Sequence, residues 1–308
     1  MNSGLVQIGK AGRRERLPQF LRKPATDFQS VQLLKNELRR LQLHTVCESA
    51  RCPNIHECFS RRAATFMILG NLCTRGCTFC SVPKGSPAKQ DMALDPLEPA
   101  NVAAMALSMD LRYVVITSVN RDDLADGGSA HFAETVERVR AALPEARVEV
   151  LTPDFCGDHE AVARLLAAGP HVFNHNMETV ARLYKPVRPQ ADYHQSLEVL
   201  RFARHEAPGV LTKSGLMVGL GETEEEVNGL LADLRAAEVD VVTIGQYLQP
   251  TRRNREVAEY VPEDRYGRWK ARGLDLGFRM VFAGPFVRSS YMADQVNEQA
   301  RESCGAGT

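Results

Sequence analysis

The chain has 308 residues, of which 44% are hydrophobic and 25% charged, and its 38 Lys+Arg are balanced by 38 Asp+Glu. That is ordinary globular composition. It excludes a wholly disordered chain and argues against a general nucleic-acid binder, which would be basic. The length fits one large α/β domain or two medium ones, with a core that needs no disulfides.

The stretch from Met1 to Phe20 is Arg-containing and acid-poor and lacks the apolar segment of a secretory signal. Two readings are open for it, a mobile basic arm and a mitochondrial presequence. No apolar run approaches the roughly 18–20 residues of a membrane helix. We therefore expect a reducing, cytoplasmic setting with no membrane partner. There, cysteines are more often metal ligands or catalytic groups than disulfides. Phe28 to Leu43 reads as one helix, with Val31, Leu33, Leu34, Leu38 and Leu41 as its apolar positions. The segment 47–62 is short of apolar residues and holds three cysteines, so it is expected to be a ligand-bearing loop.

From about residue 63 short apolar runs alternate with amphipathic stretches. Strands are expected at 65–70, 113–118, 148–153, 171–175, 213–218, 241–247 and 279–284. Helices are expected at roughly 97–109, 129–143, 158–168, 178–184, 192–206, 223–237 and 263–276. Strand then helix, repeated about six times, implies a parallel sheet with right-handed crossovers. The strands are apolar throughout, as when both sheet faces are covered. A barrel and an open doubly wound sheet both fit, and in either the function gathers where strands end and helices begin. Several such ends are polar: Thr117-Ser118-Val119-Asn120, Asn174-His175-Asn176 and Gly219-Leu220-Gly221-Glu222. The last lacks the third glycine of a dinucleotide loop and reads as a tight turn. It leads into Thr223-x-x-Glu226, a capping box.

All but two of the eight cysteines lie between Cys47 and Cys80. Directly after the first expected strand comes Cys73-Thr-Arg-Gly-Cys77-Thr-Phe-Cys80. A structural zinc wants four ligands, and no neat local fourth follows. A thiol-redox couple wants two. Three thiolates on one tight loop can hold three irons of a [4Fe–4S] cube and leave the fourth open. Gly76 would let the backbone pass close to it. Upstream lies Cys47-Glu-Ser-Ala-Arg-Cys52-Pro-Asn-Ile-His-Glu-Cys58. By its residues alone this run fits zinc, a second iron–sulfur cluster or plain loop cysteines. His56 could complete a zinc site or be a solvated loop residue. Ser289-Ser290 would by itself read as a helix cap. Cys156 and Cys304 match no ligand pattern; the first reads as a packed or free thiol and the second as part of a frayed tail.

The C-x3-C-x2-C loop after a strand resembles the radical S-adenosylmethionine superfamily. With CESARCPNIHEC upstream and Arg288-Ser289-Ser290-Tyr291 near the end, the chain resembles the lipoyl synthase family within it. The resemblance runs from about Arg16 to Asp294. It includes ATFMILGNLCTRGCTFCSVPKG, SVNRDDLADGG, FNHNMETVARLYKPVRPQADY, KSGLMVGLGET and QYLQPTRRN. It also makes the Arg16-Leu-Pro-x-Phe-Leu-Arg-Lys-Pro stretch part of the enzyme. The chain departs from the family at Asn254 and Met292, where His is common.

The resemblance implies a partial (β/α)6 TIM-like barrel over 63–284. Flanking it would be an N-terminal extension, 1–62, and a C-terminal extension, 285–308. It implies sulfur insertion at C6 and C8 of an octanoyl chain, whose C–H bonds no general base can open. Two [4Fe–4S] clusters and S-adenosylmethionine would be the cofactors. One cluster, on Cys73, Cys77 and Cys80, would cleave S-adenosylmethionine to a 5′-deoxyadenosyl radical. The other, auxiliary cluster, on Cys47, Cys52, Cys58 and Ser290, would be the sacrificed sulfur source, with Ser289 as the near alternative to Ser290. A hydroxyl is a harder, weaker iron ligand than a thiolate, which suits a cluster that comes apart in turnover. Thr117 and Ser118 would hold the cofactor's amino group, Asn176 and Glu178 its ribose hydroxyls, and Arg188 its carboxylate. Partners implied are octanoylated lipoyl carrier domains, namely 2-oxoacid dehydrogenase E2 subunits and the glycine cleavage H protein. An electron donor such as ferredoxin or flavodoxin is implied as well. Rival readings are a biotin-synthase-like sulfur inserter and a non-enzymatic iron–sulfur or zinc protein. The upstream triplet with Arg288-Ser289-Ser290-Tyr291 speaks against the first, and metal analysis would separate the second.

Overall fold

The computed structural model describes residues 18, 21, 28–60 and 65–290. The basic arm, Tyr291, Met292 and Cys304 lie outside the described residues. Helix α1 (Phe28–Arg40) leads to a two-residue strand β1 (His44–Thr45). Two short helices follow, α2 (Val46–Ser49) and α3 (Ile55–Ser60), where the sequence suggests only a loop. The difference has a local cause: Thr45 caps α2 by accepting from the Glu48 N–H, and the Cys58 N–H donates to the Asn54 carbonyl. Helical backbone bonds replace the apolar stripe that a longer helix would need.

Seven parallel strands then run in sequence order. They are β2 (Thr65–Ile68), β3 (Tyr113–Ser118), β4 (Arg147–Leu151), β5 (Val172–Asn174), β6 (Leu211–Val218), β7 (Val241–Gln246) and β8 (Met280–Gly284). β1 adds antiparallel to β2 at one edge. Helices α4 (Glu98–Ser108), α5 (Ser129–Ala142), α6 (His159–Ala167), α8 (Tyr193–Glu206), α9 (Glu224–Ala236) and α10 (Glu263–Asp275) make the six crossovers. A doubly wound sheet would reverse its strand order at a switch point. This order never reverses, and residues of β2, β3, β4, β6 and β7 line one common cavity, so the sheet is curled. Among the described residues no pairing joins β8 back to β1 or β2, which makes it a partial barrel.

Two apolar layers fill the space between sheet and helices, one around Phe66, Ile116, Val148 and Phe173, the other around Leu200, Val218, Leu231 and Ile244. Inside the curl, Val172, Leu211, Val241 and Met280 with Phe282 form the floor. Above it the barrel is not apolar. Lys213 Nζ, 1% exposed, donates to both oxygens of Glu149 at 2.9 and 3.0 Å. Tyr113 and Asn174 donate to the same carboxylate at 2.7 and 2.9 Å. A buried ion pair is tolerable only when its oxygens are filled in this way. The helix expected at 178–184 instead starts with Glu178 in a left-handed conformation, bridged to Leu216 of β6, followed by a 3₁₀ turn (Ala181–Leu183) and a four-residue α7 (Tyr184–Val187). Backbone needed for a long helix is committed elsewhere: Glu178 pairs with β6, and the Val187 carbonyl accepts from the Thr78 N–H. The turn at Gly219-Leu220-Gly221 and the Thr223–Glu226 capping box are as expected. Gly219 has φ +97°, and a Cβ there would meet Gln246 and the Glu259 carbonyl. Among the described residues no helix is long and apolar enough to cross a membrane.

Candidate active site

At the carboxyl ends of the strands lies a cavity of about 1290 Å³. Cys73, Cys77 and Cys80 line it, as do Cys47, Cys52, Ser289 and Ser290. Cys58, on α3, does not line it. It nonetheless stands close enough to Cys47 for the two thiols to feel each other electrostatically, as Cys52 does. None of the described cysteines is in a disulfide.

The 73–80 loop is held from several sides. Cys73 exchanges backbone bonds with Pro83 and Gly85, and Thr74 donates to the Asn120 carbonyl. Arg75, 5% exposed, is held between two carboxylates, the buried Asp154 and the exposed Asp122. Its Nη1 and Nη2 donate to Asp154 at 2.8 and 2.6 Å, and Nε and Nη2 to Asp122 at 2.7 and 2.9 Å. Burial alone would push the Asp154 carboxyl up, but the Arg75 hydrogen bonds outweigh it and hold it at about 2. The Cys156 thiol, exposed on a left-handed turn, touches both Arg75 and Asp122 at 3.5 Å. Asp122 and Asp123 are both arginine partners, of Arg75 and Arg121. The expected need for glycine at position 76 is not imposed by the protein, since a Cβ there would meet nothing nearer than Gln190 at 3.5 Å.

The upstream triplet is fastened to both other parts of the site. Asn54, 1% exposed, donates to the Phe286 carbonyl at 2.8 Å, and Ser81 donates to the Ser49 carbonyl at 2.6 Å. Ser289 and Ser290 differ. Ser289 Oγ donates to Asn176 Oδ1 at 2.9 Å, whereas Ser290 has no side-chain hydrogen bond among the described residues and faces the cavity.

Thr117, Ser118, Asn176, Glu178 and Arg188 all line the same cavity. Thr117 donates to the Leu151 carbonyl at 2.9 Å. Arg188 spends Nη1 on the carbonyls of Asn176 and Met177 and the Tyr184 hydroxyl. Its buried Nε is left without a partner, as are Ser118 Oγ and His175 Nε2. His175 donates from Nδ1 to the Thr152 carbonyl, and burial followed by the Arg188 charge lowers it to about 4, so it is neutral. Orphaned buried polar atoms on a cavity wall call for a polar ligand. Burial, followed by the Cys52 thiol, pushes Cys47 up to about 12, and burial does the same to Cys80. Such thiols stay protonated until a cation replaces the proton, as iron does. The donor set therefore fits two thiolate-held clusters with a small zwitterionic cofactor between them. Among the described residues no three Cys, His, Asp or Glu side chains stand together as a ready-made single-ion site.

Asn254, noted only as a departure in the sequence, touches the 73–80 loop directly. Its Nδ2 donates to the carbonyls of Cys80 and Thr78 at 2.9 and 3.3 Å, and its Oδ1 accepts from Thr251 at 2.6 Å. Replacing it with Ala strips the Cys80 carbonyl of that bond, worth about 1 kcal/mol. Iron reconstituted into the protein should then be lost roughly fivefold faster on anaerobic gel filtration, while Asn254→His, which keeps one N–H donor, should restore retention. Arg75, Asp154, Asn54 and His175 were the other residues whose roles sequence reasoning missed. A lone Arg within C-x3-C is the one local signal that could have prompted a search for its acid.

The chain matches the Radical SAM superfamily over residues 67–234 and the N-terminal domain of lipoyl synthase of the Radical SAM family over residues 3–52. It is 52% identical to a lipoyl synthase of Rubrobacter xylanophilus, covering 95% of this chain and 89% of that protein. It is 50% identical to one of Thermus thermophilus, covering 97% and 92%. Among solved structures, HydG, a maturase of the [FeFe]-hydrogenase, superposes with a TM-score of 0.55 at 14% identity, covering 83% of this chain and 64% of that one. Streptococcus suis SuiB bound to S-adenosylmethionine gives 0.55 at 13% identity, covering 83% and 61%. These two likenesses establish the fold alone.

Proposed function

This chain belongs to the lipoyl synthase family of the radical S-adenosylmethionine superfamily, and from that premise we propose how its residues divide the work. It is a sulfurtransferase that forms the lipoyl group on an octanoylated lipoyl domain, with S-adenosylmethionine and [4Fe–4S] clusters as cofactors. When bound, these cofactors would relay an electron from the reductant and supply the hydrogen-abstracting radical and the sulfur for insertion at C6 and C8 of the octanoyl chain. The observation that carries the assignment is convergence: Cys47 and Cys52, Cys73, Cys77 and Cys80, and Ser290 meet on one cavity.

In this reading Cys73, Cys77 and Cys80 hold the radical-generating cluster, and Cys47, Cys52, Cys58 and Ser290 hold the auxiliary one. The unpartnered Ser290 hydroxyl is the better placed of the two serines, because Ser289 is already bonded to Asn176. Thr117 and Ser118 receive the cofactor's amino group; of the two, Ser118 has the uncommitted hydroxyl. The open Nε edge of Arg188 takes the carboxylate, and Asn176 and Glu178 take the ribose. The chain divides into an N-terminal extension, 1–62, a barrel, 63–284, and a C-terminal extension, 285–308; within the described residues the Asn54–Phe286 bond ties the first to the last. The carriers are E2 subunits and the H protein, the donor a ferredoxin or flavodoxin, and the compartment the cytoplasm.

Anaerobic reconstitution is expected to reach about eight irons per chain, as two four-iron clusters. Saturation near four, or stoichiometric zinc, would defeat the assignment. With S-adenosylmethionine and reductant, an octanoyl-lysyl domain should gain two sulfurs by mass, and free octanoate should turn over at least about a hundredfold more slowly, because the protein around the lysine supplies binding energy that octanoate lacks. Equal turnover of the two would show the acceptor to be wrong.

A further inference from the structure

We propose that Ser289 is a positioning residue that links the auxiliary-cluster turn to the grip on S-adenosylmethionine, through the hydrogen-bonded chain Ser289–Asn176–Glu178. The proposal rests on the preceding reading, in which Ser290 ligates iron and Asn176 and Glu178 hold the ribose. Ser289 Oγ donates to Asn176 Oδ1 at 2.9 Å, and Asn176 Nδ2 donates to Glu178 Oε1 at 3.0 Å. Both ends of the Asn176 amide are thereby directed; turned over, its oxygen would face the Glu178 carboxylate. One N–H of that amide, the second oxygen lone pair and Glu178 Oε2 are left for a ligand.

Two further features show that this chain of bonds is built into the barrel. Glu178 sits at φ +66°, a conformation that a non-glycine residue keeps only when its surroundings over-determine it. Its N–H donates to the Gly215 carbonyl and its own carbonyl accepts from Met217, both at 2.9 Å. Position 215 itself makes room for the serine. A Cβ there would stand 2.7 Å from Ser289 Oγ, 2.8 Å from Asn176 Oδ1 and 2.6 Å from Thr243 Oγ1. Any side chain at 215 would part the Ser289–Asn176 bond.

Ser289 is the neighbour of Ser290, so an iron bond at Ser290 would fix the turn that aims the Ser289 hydroxyl. Loss of the auxiliary cluster would then free that turn, slacken Asn176 and weaken the hold on the cofactor. A chain whose sulfur source is spent would then bind S-adenosylmethionine less well than a loaded one, and would waste less of it.

The test measures iron content and the S-adenosylmethionine Kd on the anaerobically reconstituted full chain. Ser289→Ala should keep about eight irons while its Kd rises roughly tenfold, the effect of one lost directing hydrogen bond. Gly215→Ala, which reaches the same bond from β6, should do likewise. Replacing Cys47, Cys52 and Cys58 with Ala should leave about four irons and raise the Kd by a similar factor, and Ser289→Ala added to that background should change it by less than about twofold. Ser289→Ala or Gly215→Ala binding within about twofold of the parent, or additive effects in the combined variant, would overturn the proposal. So would a fall to about four irons in Ser289→Ala, which would make Ser289 itself the ligand. A parent chain that holds no clusters or binds no S-adenosylmethionine would strike the functional reading instead, so the two failures are told apart.

Discussion

Replacing Cys47, Cys52 and Cys58 together with Ala is expected to abolish sulfur insertion while 5′-deoxyadenosine continues to form. The reason is mechanical independence. The 73–80 loop is anchored by Pro83, Gly85, Asn120, Val187 and Asn254, and among the described residues the hydrogen bond reaching toward the upstream triplet is Ser81–Ser49. Removing the upstream thiolates should therefore leave the first cluster in place. Cofactor cleavage should survive, slowed through weaker binding, and no thiolated product should appear. The reciprocal variant, with Cys73, Cys77 and Cys80 changed to Ala, should lose both products by at least about a thousandfold, since no other group here can open an unactivated C–H bond. Mass spectrometry of the octanoyl-lysyl domain and chromatography of the nucleoside read the two outcomes side by side. Sulfur insertion persisting in the 47/52/58 variant would reduce that triplet to a structural element. An electron carrier would form no 5′-deoxyadenosine in any of the three proteins.

Arg75→Met is expected to be the most damaging change that touches no ligand. It leaves Asp154, with 0% of its surface exposed, as a buried carboxylate without its bidentate partner. Breaking a buried pair in this way costs about 3–5 kcal/mol, or roughly 10 °C in Tm for a chain of this size. The pH dependence gives the cause away. In the parent, Asp154 titrates at about 2, below the ordinary carboxylate range, so its contribution is present above about pH 4 and is lost only as pH falls toward 2. In the variant burial is opposed chiefly by the Cys156 N–H bond, so Asp154 titrates well above its value in the parent. The deficit should then be largest at neutral pH and shrink as pH falls toward about 4 to 5. Thermal unfolding of both reconstituted proteins at pH 7.5 and pH 5 would show this. Asp154→Leu in the Arg75→Met background should recover most of the loss. A deficit that does not change with pH would mean that the damage comes from lost packing of the 73–80 loop.

The strand–helix alternation, the capping box at Thr223–Glu226 and both cysteine triplets were legible in the sequence by itself. Each is a local pattern: burial on two faces makes a strand apolar, a hydroxyl three residues before a Glu starts a helix, and three thiolates within eight or twelve positions can reach one cluster. The family motifs carried the site residues with them. What was misread was also local, but subject to outside demands. Residues 178–187 gave up their helix because β6 and the 73–80 loop take their backbone bonds, and residues 46–60 gained two short helices, one from the Thr45 cap and one from the Cys58–Asn54 backbone bond, rather than from an apolar stripe. Only the tertiary structure decided which distant groups meet. Arg75 pairs with Asp154 across 79 positions, Asn254 reaches Cys80 across 174, Ser289 reaches Asn176 across 113, and Asn54 reaches Phe286 across 232. No spacing rule links such pairs. They are brought together by the curl of the sheet, which sets all strand ends round one cavity, so what seats each ligand loop is decided by folding rather than by the neighbours of the residues that bind.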